Sequence, residues 1–355
     1  MSDPAYLPLN TPKGTSKEYT ELRKLVKAEG LMERTVPRYM LWVSIVLLAW
    51  GASMSVFVLV DNFWLLLLNT FFLAVVHVQL GFLGHDFAHN QVFEKKKLND
   101  IFFLMTAHLL MGNYFSWWTS THNAHHANPN HEHDDPDINR PGLAHTRKQA
   151  LEKRGLERLM TKYQAFLFIP LMFFITAYVR SECIKKILRR ESRYPFWELG
   201  LYVVHYVGYL AFFFTVLPWW QALTFLVIHQ ALLGFYLGMT VAPNHKGMPV
   251  IQDGMEIGFL RQQVITARNI KPGPLIDFCY GGLNYQIEHH LFPSMPRKNL
   301  PRAREIVMEF CRERNIPYAE TSVMESCTNI LKYFHEVSRV LHHRPRAIAE
   351  DVIHT

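Results

Sequence analysis

Residues 39–84 read YMLWVSIVLLAWGASMSVFVLV, DN, FWLLLLNTFFLAVVHVQLGFLG: two apolar runs, Tyr39–Val60 and Phe63–Gly84, parted only by Asp61 and Asn62. A helix rises about 1.5 Å per residue, so each run is long enough to cross a hydrocarbon core of about 30 Å. Two polar residues suffice to turn the chain back, and the stretch predicts a helical hairpin in a bilayer. Neither Lys nor Arg occurs between Arg38 and Lys95. A second such gap separates Arg193 from Lys246 and holds Phe196–Leu217 and Ala222–Ala242, turning at Pro218, Trp219, Trp220 and Gln221. The reading is therefore all-α and integral to a membrane, with four long spans paired as two hairpins.

The charges orient these spans. Both short turns lack Lys and Arg, whereas the N-terminal segment, the central loop and the C-terminal segment hold all 37 of them. By the positive-inside rule those three segments are expected to be cytosolic. Residues 1–38 then form a cytosolic N-terminal segment, and residues 39–355 a membrane domain whose helical cap comprises 85–195 and 243–355. A net charge of +7 usually raises the question of nucleic acid. Here the cations flank the apolar blocks, so membrane lipid is the expected partner and nucleic acid is not. Two shorter apolar runs, Ile101–Phe115 and Ala165–Val179, are interrupted by His108, Asn113 and Pro170. They are expected to lie at the interface or to pack into the cap. The stretch Ala144–Lys162 and the region from Leu300 onward read as further cap helices. Cys183, Cys279, Cys311 and Cys327 are isolated, which predicts neither disulfides nor a thiolate zinc site and suits a reducing compartment. No short apolar core with a cleavage site opens the chain, so the N-terminus is expected to be retained.

The histidines point to chemistry. His85 and His89 stand four apart at the end of the second run, and on a helix that spacing shares one face. His122, His125 and His126 stand at i, i+3 and i+4, which would let three imidazoles converge on one point. Gln286, His289 and His290 repeat the pattern. With 19 histidines in 355 residues, random placement yields about one HxxxH but only roughly 0.05 HxxHH, so the conjunction carries the weight. All these clusters, with His245 just after the fourth run, fall on one side of the membrane in the hairpin reading. Neutral imidazole suits iron, zinc, copper and nickel, and eight histidines exceed the needs of one ion and fit two. Asp86, Asp134, Asp135, Asp137 and Glu288 are candidates for holding ligand N–H groups, with solvated loop charge as the alternative.

Other histidines are read differently. His229 precedes His245 by 16 residues, about 24 Å along a straight helix, and cannot reach the same metals. His205 and His77 are similarly deep, with helix packing expected ahead of a tunnel-lining role. His131, His133, His145, His335, His342, His343 and His354 are expected at the surface.

These clusters resemble the three histidine boxes of the membrane fatty-acid desaturases. The run from Gly281 through Gln286-Ile287-Glu288-His289-His290 to Pro293, with Pro296-Arg297, is similar to the third box of the front-end acyl branch, in which Gln replaces the first His. His122–Pro129 followed by Asp135-Pro136-Asp137 resembles the second box, and Asn244-His245 the extra histidine after the last span. The likeness covers roughly residues 35–340. It implies ligation of two irons by His85, His89, His122, His125, His126, His245, His289 and His290. It leaves Gln286 as a ligand either direct or through water. It also implies a mushroom-shaped fold of four long helices under a cytosolic helical cap. Many front-end enzymes open with a fused cytochrome b5 carrying His-Pro-Gly-Gly; that motif is absent from this sequence and 38 residues leave no room for the domain. Electrons are accordingly expected from a separate donor of ferredoxin or cytochrome b5 type, drawn to a basic cytosolic face. No bound haem or flavin is expected, and a bacterial inner membrane is favoured over the endoplasmic reticulum.

The activity so implied is oxygen-dependent desaturation of a fatty-acyl chain carried by lipid, coenzyme A or carrier protein. Breaking an unactivated C–H bond is beyond side-chain acid–base chemistry, so a cofactor must supply the oxidising power. An apolar tunnel would place one methylene pair beside it, with Trp117 and Trp118 as candidates for its wall or for interfacial anchors. The same scaffold could hydroxylate, epoxidise or conjugate. A histidine-lined metal transporter would need ligands near the midplane, and a zinc hydrolase would work without oxygen.

Overall fold

The computed structural model describes residue 3 and residues 5–342. Helix α1 (Ser16–Ala28) precedes a first hairpin of α2 (Val36–Leu59) and α3 (Phe63–Ala88). Pro37 opens α2, where a missing N–H goes unmissed. Asn62 accepts from the amides of Trp64 and Leu65 and so caps α3 within the tight turn. Then follow α4 (Lys96–Phe103), running directly into a π-helical segment (Leu104–Leu110), and α5 (Phe115–Ala127). Next come α6 (Arg147–Glu152), α7 (Gly155–Lys162), α8 (Gln164–Met172) and α9 (Ile175–Leu188). The second hairpin is α10 (Pro195–Val216) and α11 (Trp219–His245). Helices α12 (Phe259–Ile265), α13 (Pro274–Tyr280), α14 (Gln286–Leu291), α15 (Leu300–Glu313) and α16 (Val323–Ser338) complete the cap. A parallel pair of two-residue strands, β1 (Asn269–Ile270) and β2 (Glu320–Thr321), ties it together.

The four helices α2, α3, α10 and α11 are long and apolar enough to cross a membrane. Their ends differ from the apolar runs. Helix α3 continues four residues past Gly84, and α11 begins at Trp219 and ends at His245 instead of spanning 222–242. Hydropathy marks the part of a helix that suits hydrocarbon, whereas the hydrogen-bond ladder continues as long as side chains allow. The overrun matters, because it places His85 and His245 beyond the apolar runs while keeping them on the same rigid helices.

Helices α3 and α11 form the inner pair, more buried than α2 and α10. Neighbours approach them closely at glycines. A Cβ on Gly84 would lie 2.3 Å from that of Ala107, and one on Gly234 would lie 2.9 Å from the Met172 carbonyl oxygen. The two shorter apolar runs are broken helices packed against the spans, and α8 in the second of them also packs into the cap, its Phe168 and Met172 clustering with Ile330 and Phe334 of α16. The first breaks at Gly112, whose φ is +75° and whose missing Cβ leaves space for His205. The second, α8–α9, is bent by 76° just after Pro170.

The N-terminal segment is not separate from the cap. Leu22 and Val26 of α1 are fully buried against Val264, Ile287, Leu291, Val307 and Phe310. Each such burial contributes about 1.5–3 kcal/mol, and together they fix α14, the carrier of the last two histidines.

Candidate metal centre

Four elements deliver the histidines. The last turn of α3 presents His85, and His89 follows as its C-cap. Helix α5 carries His122, His125 and His126; α11 ends on His245; α14 carries Gln286, His289 and His290. Glu198 anchors α5, accepting from the amide and hydroxyl of Ser116 at 2.9 and 2.7 Å.

The eight imidazoles gather in two adjacent groups. His85, His89, His122, His126 and His289 form one, with one nitrogen from each lying within 4.8 Å of the others; His125, His245 and His290 form the second on the same criterion. The HxxHH cluster at His122 and the QxxHH cluster at Gln286 thus do not each converge on one point, contrary to the spacing argument. Successive helical residues diverge by about 100°, so His125 and His126 face different groups, as do His289 and His290. The two groups abut where His126 and His290 stack, ring centroids 4.1 Å apart.

The donor set fits a pair of cations. In the group of three every Nδ1–H has an acceptor: Asp135 holds His125 at 3.0 Å, the Thr266 carbonyl holds His245 at 3.1 Å and Gln263 holds His290 at 2.9 Å. With the protons on Nδ1, each Nε2 lone pair points into the shared space. His290 Nε2 is buried without a hydrogen-bond partner, and His125 and His245 face each other Nε2 to Nε2 at 3.4 Å. In the group of five the Nε2 atoms stand 2.8 Å apart for His89–His122 and 3.1 Å apart for His85–His289 and His289–His126. Lone pairs facing one another at such distances repel unless a cation or shared proton lies between them.

Electrostatics keep most of these rings ready to ligate. Burial, reinforced by neighbouring histidines, holds His89, His122, His126, His289 and His290 well below the usual imidazole range, hence neutral. Burial alone would also depress His125, but the Asp135 carboxylate reverses this and the net shift is upward. That carboxylate makes His125 the more basic ligand.

Sequence comparison agrees with the geometry: the family described as "Fatty acid desaturase" matches residues 61–322. This chain belongs to the fatty acid desaturase family. It is 29% identical over 338 residues to the acyl-lipid (9-3)-desaturase of Physcomitrium patens, covering 91% of this chain and 63% of that protein. It is 32% identical over 262 residues to a Delta(6)-fatty-acid desaturase of Caenorhabditis elegans, covering 69% and 59%. It is 27% identical over 343 residues to a Delta(8)-fatty-acid desaturase of Euglena gracilis, covering 93% and 80%. The chain thus spans about three fifths of the length of the moss and nematode desaturases.

Of the carboxylates expected to support ligands in this desaturase-family chain, Asp86 reaches His85 Nδ1 at 3.3 Å, Asp135 holds His125, and Asp137 lies 3.8 Å from His125. Asp134 and Glu288 do not take this role. Asp134 pairs with His131 at 3.2 Å. Glu288 is bound by Asn269 and Tyr318 at 2.7 and 2.9 Å, and burial pushes its carboxyl up to about 7. Gln286 lies inside the group of three, its Nε2 2.9 Å from His245 Nε2 while its Oε1 accepts from Asn244. Residues without a sequence signal complete the support: Gln263, the Thr266 carbonyl, and Arg297, which grips Asp86 through Nε at 2.6 Å.

The histidines set aside as non-ligands lie outside both groups. His77, His229, Tyr209 and Trp50, one from each span, form a buried hydrogen-bonded chain. His205 binds the Leu109 carbonyl at 2.7 Å. His133, His335 and His342 are exposed as expected and His131 is half-buried. His145 is a correction: it is buried against Phe334, because the cap folds over it. His343 and His354 lie outside the described residues.

A mostly apolar cavity of about 430 Å³ opens onto both groups, lined by His85, His122, His125 and Gln286. Trp117 and Trp118 both form its wall, and Trp118 also stacks on His122 at 4.3 Å.

Proposed function

We infer that this chain introduces a double bond into a fatty-acyl chain, with two irons held by His85, His89, His122, His126 and His289 on one side and His125, His245 and His290 on the other. One observation carries the reading: two abutting groups of buried, mostly neutral imidazoles open onto an apolar cavity in a membrane fold. Iron bound there, with dioxygen and two electrons, would supply the oxidising equivalent that removes two hydrogens from adjacent methylenes, leaving water. The protein's own contributions are placement and exclusion. Trp117, Trp118, Leu233 and Leu237 line the cavity and would hold an alkyl chain against the rings, where a misplacement of one carbon changes the product. Asp135, the Thr266 carbonyl and Gln263 keep three rings in the metal-ready tautomer. Gln286 would polarise a water or oxygen beside His245.

The third-box resemblance, together with relatives named Delta(6) and Delta(8) desaturases, directs the proposal to the carboxyl-proximal part of the substrate. The proposed electron donor is an acidic redox protein of ferredoxin or cytochrome b5 type, attracted by the net charge of +7. The cap and its cations are proposed to face the cytosol.

Expression in a host of known lipid composition, followed by gas chromatography of fatty-acid methyl esters, tests the reading. A new unsaturated species that disappears in His125→Ala and His289→Ala, with about two irons per chain in the purified parent, is the expected result. Unchanged product in either variant overturns it. A hydroxylated product would instead keep the site and change the reaction.

A further inference from the structure

Where α9 gives way to α10 the chain reads IKKILRRESRYPFW over residues 184–197. Lys185, Lys186, Arg189, Arg190 and Arg193 stand there against Glu182 and Glu191, a net of +3 over residues 182–193. Lys185 pairs with Glu182 at 2.6 Å, Lys186 with Glu191 at 3.4 Å, and Arg193 lies 3.9 Å from Asp100. Arg189 and Arg190 are exposed and make no ion pair among the described residues. The turn that carries them is fixed from beneath. The Tyr114 and Ser192 hydroxyls are 2.5 Å apart, the Arg193 amide donates to Ser116 at 2.8 Å, and the Tyr194 amide donates to Glu198 at 2.8 Å. Arg190 ends α9 at a φ of +58°. Glycine is the ordinary residue at such a helix end, so an arginine stands here against its backbone preference.

Large apolar side chains lie open among these charges: Leu188 is 76% exposed, Phe196 79% and Trp197 61%. Water penalises the apolar groups and hydrocarbon penalises the cations, whereas the boundary between headgroups and acyl chains suits both. The placement agrees. Thr176, near the start of α9, donates to the Gln230 carbonyl midway along α11, and α9 then runs past Tyr202 to the first turn of the span α10. The entry of α2 carries fewer cations, Arg34 and Arg38, and Arg34 is engaged with the Asn90 carbonyl. We propose that the α9–α10 turn holds an anionic phospholipid on the outside of the bundle, its headgroup met by Arg189 and Arg190 and its chains by Leu188, Phe196 and Trp197. A polybasic segment beside a span attracts negative headgroups, and the apolar neighbours make a lipid the fitting anion. Tyr178 and Val179 of α9 line the cavity, so a lipid seated on this helix braces one of the cavity walls.

Trp197 is the reporter. The full chain is placed in phosphatidylcholine nanodiscs containing a small fraction of lipid brominated in its acyl chains, with either a phosphatidylglycerol or a phosphatidylcholine headgroup. Subtracting the signal of a Trp197→Phe variant isolates this residue among the eight tryptophans. At low salt, brominated phosphatidylglycerol is expected to quench Trp197 at roughly one fifth of the lipid fraction that brominated phosphatidylcholine requires. Arg189→Gln combined with Arg190→Gln should bring the two lipids to parity, whereas Arg38→Gln, at the other entry, should leave the preference in place. Raising salt from about 0.05 to 0.5 M should weaken the preference in the parent, because exposed charges are screened. If the double variant fails to insert, Arg189→Gln alone and the salt series decide. Equal quenching by the two lipids in the parent, or a preference that neither salt nor the substitutions reduce, overturns the proposal. Loss of the preference in Arg38→Gln to the same extent as in the double variant also overturns it, by assigning the attraction to the charge of the whole chain. The assay needs neither iron nor turnover, so its outcome is independent of the desaturase reading.

Discussion

The two histidine groups are built on different plans. In the group of three every ring has its far nitrogen fixed, by a carboxylate, a backbone carbonyl and an amide oxygen. In the group of five only His85 meets a carboxylate, at 3.3 Å, and His126 Nδ1 is buried with no partner at all. The first group buys tautomer and orientation with supporting residues; the second relies on the number of rings. Where orientation is fixed in advance, a cation pays less ordering entropy, so the group of three is expected to hold its ion more tightly at neutral pH.

The contrast breaks most visibly on ligand loss. His125→Ala removes one of three rings, whereas His126→Ala leaves four. His125→Ala should abolish product beyond the roughly 100-fold that supporting residues cost, with one iron lost per chain. His126→Ala should retain more of its iron, and equal losses in iron assay would erase the distinction. Next in size are the supports. Asp135→Asn is expected to weaken metal binding by about 10- to 100-fold in chelator competition. Asp86→Asn should cost less, because its contact to His85 is longer and its other oxygen serves Arg297.

Acid should reverse the order. His125 has its protonation raised by Asp135, while His89, His122, His126 and His289 are held down by burial. As pH falls, the proton therefore competes first at His125, and the group of three should lose affinity by about tenfold per pH unit below that ring's protonation point. Iron retention measured between pH 8 and 5.5 checks the sign, since release beginning at the group of five contradicts it. The smallest effect expected is from Trp118→Leu, which removes the ring stacked on His122. A stacking loss of about 0.5–1.5 kcal/mol should cost several-fold in substrate conversion and little in iron content.

Much of this architecture could be read before any coordinates. The four spans are legible because runs of 21 or 22 mostly apolar residues have few soluble explanations, and the stretches free of Lys and Arg from Arg38 to Lys95 and from Arg193 to Lys246 bracket them. The eight histidines are legible because HxxHH is rare by chance. The breaks at Gly112 and after Pro170 were harder to place. An apolar run of moderate length is equally compatible with an interfacial helix, and only contact with α3, α10 and α11 and, for α8, with α16 of the cap decides where these runs pack. Asp134 and Glu288 could not be told apart from Asp86 and Asp135 beforehand, because closeness in sequence to a ligand says nothing about which way a side chain leaves the backbone.

Residue type and spacing alone established which parts enter the bilayer and which imidazoles are available, since both follow from local periodicity and transfer free energy. How those imidazoles are divided, five and three, was settled by the packing of α3, α5, α11 and α14, whose relative rotation no single helix encodes. The supporting atoms were likewise invisible beforehand: Gln263 stands in an ordinary polar stretch, and the Thr266 carbonyl has no residue-specific signature. Long-range neighbours set these roles, because hydrogen-bond satisfaction and charge balance are properties of a folded volume and not of a chain.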